Sequence, residues 1–164
     1  NKKYMKTRLL FVLLAITFFN FSCDKNKNNS SHTGYATTLL GNQVLESNNL
    51  SFTVENFTDN STNQTNEVTK LIIQNTDGSY FEITFDGVVQ GIYPLTSTKP
   101  NTASYFNTQF YEHISITGNI SITEYLENDN QISITGVLAF QAQSIIDQAL
   151  ITVNGGVVSV TKQK

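Results

Sequence analysis

The chain lacks tryptophan and holds one cysteine, one methionine and two prolines in 164 residues. A single cysteine excludes an internal disulfide framework. Charge is sparse, at 14%, so the polar surface has to come from Asn, Thr, Ser and Gln. Thr favours strands, while Asn and Gly favour turns, and this bias points to an all-β protein. Cations are scarcest. Four of the ten (Lys2, Lys3, Lys6 and Arg8) precede Cys23, which leaves six against 13 acids, a balance of −7. Such a chain has no basic patch for nucleic acid. The longest apolar run, Leu9 to Phe19, is about 11 residues, short of the roughly 20 that a transmembrane helix needs.

Catalytic patterns are equally scarce. There is no Gly-x-Ser-x-Gly elbow and no Ser/His/Asp order. His32 falls in a polar N-terminal segment, and His113 opens an Ile-rich strand, where it is expected to be a solvated strand-end residue. Glu112 and His113 point to opposite faces, so they cannot chelate one ion together. Asn128-Asp129-Asn130 is too small a cluster for calcium and reads as a β-turn. A glycosidase would need two facing carboxylates, and only Glu82 with Glu124 would serve from strands. The expectation is a non-enzyme with no cofactor and no metal.

What is present begins at Cys23. Lys6 and Arg8 form a positive region, Leu9 to Phe19 an apolar one, and Ser22 stands before the cysteine, with Asp24 to Ser31 polar after it. This is the pattern of a bacterial lipoprotein signal, with Asn20 where most such signals carry Leu. The expected organisation is a signal peptide over 1–22 with Met5 as the start, a lipidated Cys23 and flexible tether over 23–34, and a domain over 35–164. Each buried CH₂ contributes ~0.8 kcal/mol, and one myristoyl chain binds only marginally, so two or three acyl chains on Cys23 give lasting attachment. The tether reaches on the order of 20 Å.

The rest alternates. Ile114, Ile116, Ile120 and Ile122 are expected on one face and Ser115, Thr117, Ser121 and Thr123 on the other. After a turn at 126–130, Ile132, Ile134, Gly136, Leu138 and Phe140 continue inward, with Ser133 and Thr135 outward. Gly118 and Gly136 sit near the middle of the two strands, where paired glycines let a sheet coil. Asp77-Gly78, Asp86-Gly87, Asn154-Gly155 and Gly41-Asn42 read as turns between strands. Phe81, Ile83 and Phe85 share a face, Leu50 to Phe57 forms a strand, and Pro94 ends another. Residues 56–67 and 96–102 read as loops, and Gln141 to Gln148 as the one stretch able to hold a helical turn. The count is nine or ten strands: an antiparallel β-sandwich or a barrel-like closed sheet.

The run Gly118-Asn-Ile-Ser-Ile-Thr123, Ile134-Thr-Gly-Val-Leu-Ala-Phe140 and Thr152-Val-Asn-Gly155 resembles the small β-rich lipoproteins of unknown function found in Bacteroidota, especially flavobacteria. Gly91-Ile-Tyr-Pro-Leu95, Phe81-Glu-Ile-Thr-Phe85 and Leu40-Gly-Asn-Gln-Val44 are similar to their upstream elements. The resemblance implies an exported protein, lipid-anchored in the cell envelope, with the outer membrane favoured. It brings no catalytic residues.

The aromatic pairs Tyr105-Phe106 and Phe110-Tyr111 are the functional lead. Neighbours in a strand face opposite ways, so Phe106 and Phe110 are expected inward, with Tyr105 and Tyr111 outward to stack on a sugar or anchor a protein. The favoured function is a non-catalytic module that binds an envelope protein or glycan. A barrel holding a small apolar ligand and an envelope glycan hydrolase are the alternatives.

Overall fold

The computed structural model describes residues 31–87 and 89–164. Ten strands run in order: β1 His32–Leu40, β2 Gln43–Ser47, β3 Asn49–Asp59, β4 Gln64–Gln74, β5 Tyr80–Asp86, β6 Gly91–Pro94, β7 Thr102–Phe106, β8 Glu112–Glu127, β9 Gln131–Ser144 and β10 Leu150–Gln163. There is no helix among the described residues. All pairings between the named strands are antiparallel, in the order β2-β1-β10-β9-β8-β7-β5-β4-β3, with β6 also on β8. The sheet is therefore all-β and not closed: β2 and β3 are its two edges. β1 begins at His32, so the last residues expected in the tether are already strand. Cys23 lies outside the described residues.

The sheet coils until β3 reaches β1. The His32 ring meets Phe52 edge-on at 5.8 Å, and its Nε2 donates to the Phe52 carbonyl at 3.0 Å. Inside the curl lies one core, in which Phe52, Phe81, Phe85, Ile73, Ile83, Ile120, Leu138 and Val158 are each at most 2% exposed. Each such side chain contributes roughly 1.5–3 kcal/mol by leaving water. Strands β5 and β9 follow the period of two: Phe81, Ile83 and Phe85 are inward, as are Ile134, Gly136, Leu138 and Phe140.

Strand β8 departs from that period. Its opening half buries His113 and Ser115, while Ile114 is half-buried and Ile116 exposed; further on, Ile120 and Ile122 are buried. The register shifts between Ser115 and Thr117, and again between Ile122 and Glu124. One extra residue in a ladder swaps every following side chain to the other face. Gly118, at φ +138°, lies just past the first shift. A methyl there would run into the Ala139 carbonyl and the Phe140 backbone. At this joint β8 changes partners, from β7 (up to Ile114) to β6 (from Asn119).

Three other expectations are corrected. Asn154-Gly155 is not a hairpin turn but a bulge inside β10, because that strand has neighbours on both sides, β1 and β9. The turn falls instead at 145–149, where the Ser144 hydroxyl accepts the Ile146 and Asp147 N–H groups at 3.2 and 3.3 Å. The stretch 141–148 therefore holds a strand end and a turn, not a helical one. Residues 56–67 are largely ladder: β3 runs to Asp59 and β4 starts at Gln64, and Thr58 and Thr65 bond across it at 3.0 Å. Loop-like composition hides this ribbon because its outer half is polar at every position but Phe57.

Candidate functional site

The hydrogen-bond register builds one row across five strands: Asn49 opposite Gln74, Gln74 opposite Tyr80, Tyr80 opposite Phe106, and Phe106 opposite Glu112. Directly opposed residues share a face, so two amides, two rings and a carboxylate line up on the outer surface. The Asn49 amide donates to the Gln74 side-chain oxygen. Tyr80 and Phe106 stack with centroids 4.4 Å apart and planes 9° from parallel. Ser104 donates to the Glu112 carboxylate at 2.7 Å. Burial, then Glu82 and Glu112, push the Tyr80 phenol up from its ordinary pKa.

Two turns overhang this row. In the first, the Asp77 carboxylate accepts both the Ser79 N–H (2.9 Å) and its hydroxyl (2.6 Å). Asn75 Nδ2 donates to the Ser79 oxygen at 2.9 Å, and Asn75 is only 7% exposed. Its Oδ1 is buried without a partner. In the second turn, Asn107 Oδ1 accepts the Gln109 and Tyr111 N–H groups at 2.9 and 3.0 Å. This holds Phe110 at φ +63° with its ring 72% exposed. A bulky residue in the left-handed region is uncommon and costs roughly 1–2 kcal/mol.

Between the turns lies a cleft of ≈ 430 Å³. Asn48, Asn49, Gln74 and Asn75 supply amides, Thr76 and Ser79 hydroxyls, and Tyr80 and Phe110 rings. A second hollow of ≈ 480 Å³ lies over the Gly155-Gly156 bulge, but its walls are mainly aliphatic (Leu39, Val44, Val137, Val157) and it has no ring.

The expected aromatic orientations are reversed at three of four positions, Tyr105, Phe106 and Phe110. Tyr105 is 7% exposed, packed 5.0 Å from Phe81, because β7 pairs it with that core residue. It presents no ring to solvent, and burial raises its phenol pKa. Phe110 is outside instead of inside, since its positive φ takes it off the strand alternation. Tyr111 is outward as expected, at 49% exposure, beside the cleft and not among its walls. Phe106 faces the outer row. His113 is not solvated: it is 8% exposed and 5.9 Å from the Tyr105 ring, with Nδ1 unpartnered. Glu82 pairs with Lys70 at 2.9 Å. Its row crosses β8 at Ile114, ten residues from Glu124, or about 30 Å at the rise of a strand. Those two carboxylates do not face each other.

As walls of a cleft, Tyr80, Asn75 and Gln74 are missing from the sequence reading, and Phe110 enters it only as an inward ring. The Asp77-Gly78 signal locates their turn, but only long-range register joins it to Phe110. No family model matches the chain, and no curated protein or solved structure matches it.

Proposed function

We propose that this protein is a lipid-anchored, non-catalytic module that binds a glycan at the cell envelope. The observation that carries the reading is the cleft: amides arranged beside ring faces are the groups that hydrogen-bond sugar hydroxyls and stack on pyranose C–H faces. Ser31, where the described chain begins, accepts a hydrogen bond from Gln163 N–H at 3.1 Å, and Lys164 N–H donates to Asn130 at 2.9 Å. A tether from Cys23 would therefore join the domain beside the β8–β9 turn. In this reading the curled sheet is sandwich-like, β3 lying over β1, and its side-chain-filled interior favours surface recognition over an enclosed apolar ligand. The anchor accords with the lipoprotein signal and with an outer-membrane location.

A glycan array probed with the full chain in detergent micelles tests the binding. Retention of a sugar by the wild type and its loss in Phe110→Ala is the expected result, and a folded protein that retains nothing would sink the reading. Radiolabelled palmitate should enter the wild type and not Cys23→Ala.

A further inference from the structure

We infer that the cleft selects uncharged oligosaccharides and rejects uronate- or sulfate-bearing ones; this rests on the glycan reading above. The first argument is its lining, which holds no Lys, Arg or His. An anionic group is held by cationic or convergent N–H donors. Three of the four described lysines are engaged elsewhere: Lys70 pairs with Glu82 at 2.9 Å, Lys164 pairs with Glu127 at 2.9 Å, and Lys162 lies 5.9 Å above Phe52; Lys99 precedes the opposite end of β7 from Phe106.

The second argument is the charge around the rings. Glu112 ends the row that holds the Tyr80–Phe106 stack, and Glu82 stands in the next row on the same face. Asp77 shares the turn that overhangs the cleft. A carboxylate or sulfate brought to this row meets Glu112 and Asp77, neither paired with a cation among the described residues, while Lys70 offsets Glu82. A neutral sugar meets only dipoles and ring faces.

The third argument is Asn75. Its Nδ2 is committed to Ser79, whose hydroxyl is in turn committed to Asp77, and Oδ1 alone is free. A buried acceptor without a donor is costly. A ligand O–H or acetamide N–H supplies that donor, whereas an ionised group offers acceptors only. The arrangement Asp77–Ser79–Asn75 thus leaves one buried acceptor at the cleft wall without a donor.

The test titrates the full chain in detergent micelles, by calorimetry, with neutral gluco- and N-acetylglucosamine oligosaccharides and with their uronate or sulfated counterparts of equal length. Neutral ligands should bind at least about tenfold tighter than their anionic counterparts. Their affinity should change less than about twofold as salt is raised from about 0.01 M to about 1 M, which shortens the Debye length from about 30 Å to about 3 Å. Phe110→Ala and Asn75→Ala should each weaken neutral binding about tenfold or more. Phe110 is exposed, so that variant folds, and unchanged affinity in it would overturn the cleft as the site. Anionic sugars that bind as tightly as neutral ones, and lose affinity in Phe110→Ala, overturn the selectivity while glycan recognition stands. A folded wild type that binds neither class overturns both.

Discussion

The two ends of β8 are chemically unlike. At its C-terminal end Lys164 Nζ pairs with Glu127 at 2.9 Å, and the Tyr125 hydroxyl donates to the same carboxylate at 2.7 Å. At its N-terminal end the neighbours are rings, amides and hydroxyls, and the carboxylates there are capped by hydroxyl and N–H donors. A chain with so few cations puts one of them where it enters the sheet and none in the cleft. The difference teaches that the scarcity of charge is distributed: ionic contacts close the chain's entry end, and neutral directional groups shape the other.

Breaking the joint between the two ends is expected to have the largest effect. Gly118→Ala places a methyl against the Phe140 backbone at φ +138°, which costs ~4 kcal/mol or more and lowers Tm by roughly 12 °C in thermal melts. Next come the two tyrosines once expected to act alike. Tyr105→Ala empties a core site and costs ~3–5 kcal/mol, whereas Tyr111→Ala stays within ~0.5 kcal/mol, as an exposed position does. Equal losses in urea melts would contradict the burial difference. Phe110→Gly removes the left-handed strain and raises stability by ~0.5–1 kcal/mol while abolishing ring stacking. A stability gain paired with a binding loss would mark Phe110 as kept for recognition.

The smallest effects separate the entry end by pH. The Glu127 carboxyl is held below its ordinary pKa by the Lys164 hydrogen bond first, then by Tyr125. A depressed carboxylate stabilises the fold above its unfolded pKa and loses that contribution as pH falls through the folded one. The Tm difference between wild type and Glu127→Gln should therefore shrink from pH 6 to pH 3. Burial, then Glu127, pushes the Tyr125 phenol up to about 12 from its ordinary 10.0. Here the neutral form is favoured by folding, so stability is full below pH 10 and declines as pH rises from there towards 12. In an ultraviolet titration Tyr125→Phe should delete the last tyrosine step.

Alternation alone identifies β5 and β9, since neither carries a register shift between Tyr80 and Asp86 or between Gln131 and Gly136 on their core faces. It fails in β8 because a bulge leaves no mark in composition: Ser115-Ile-Thr117 reads as plain strand, yet the ladder slips there and Ile116 turns outward. In β10 the opposite error arises, because Asn154-Gly155 has turn chemistry but its neighbours β1 and β9 hold it in the ladder. The cleft was half legible. Asp77-Gly78 fixes one wall, but the pairing of Tyr80 with Phe106, and so the meeting of that wall with Phe110, depends on strands apart in the chain. The face of Tyr105 depends on the same pairing.

The order of strands also determines how the molecule bears load. Ser31 lies beside the last residues of β10, and the cleft lies beyond the first residues of β5 and β8. The part of a pull that acts along β8, β9 and β10 runs across the direction of their hydrogen bonds. Bonds loaded in this way resist together, in shear, and do not open one after another as in a zipper. A protein held at one end and gripping at the other would yield last in the long β8–β9–β10 ladders and first in the short β6 and β7.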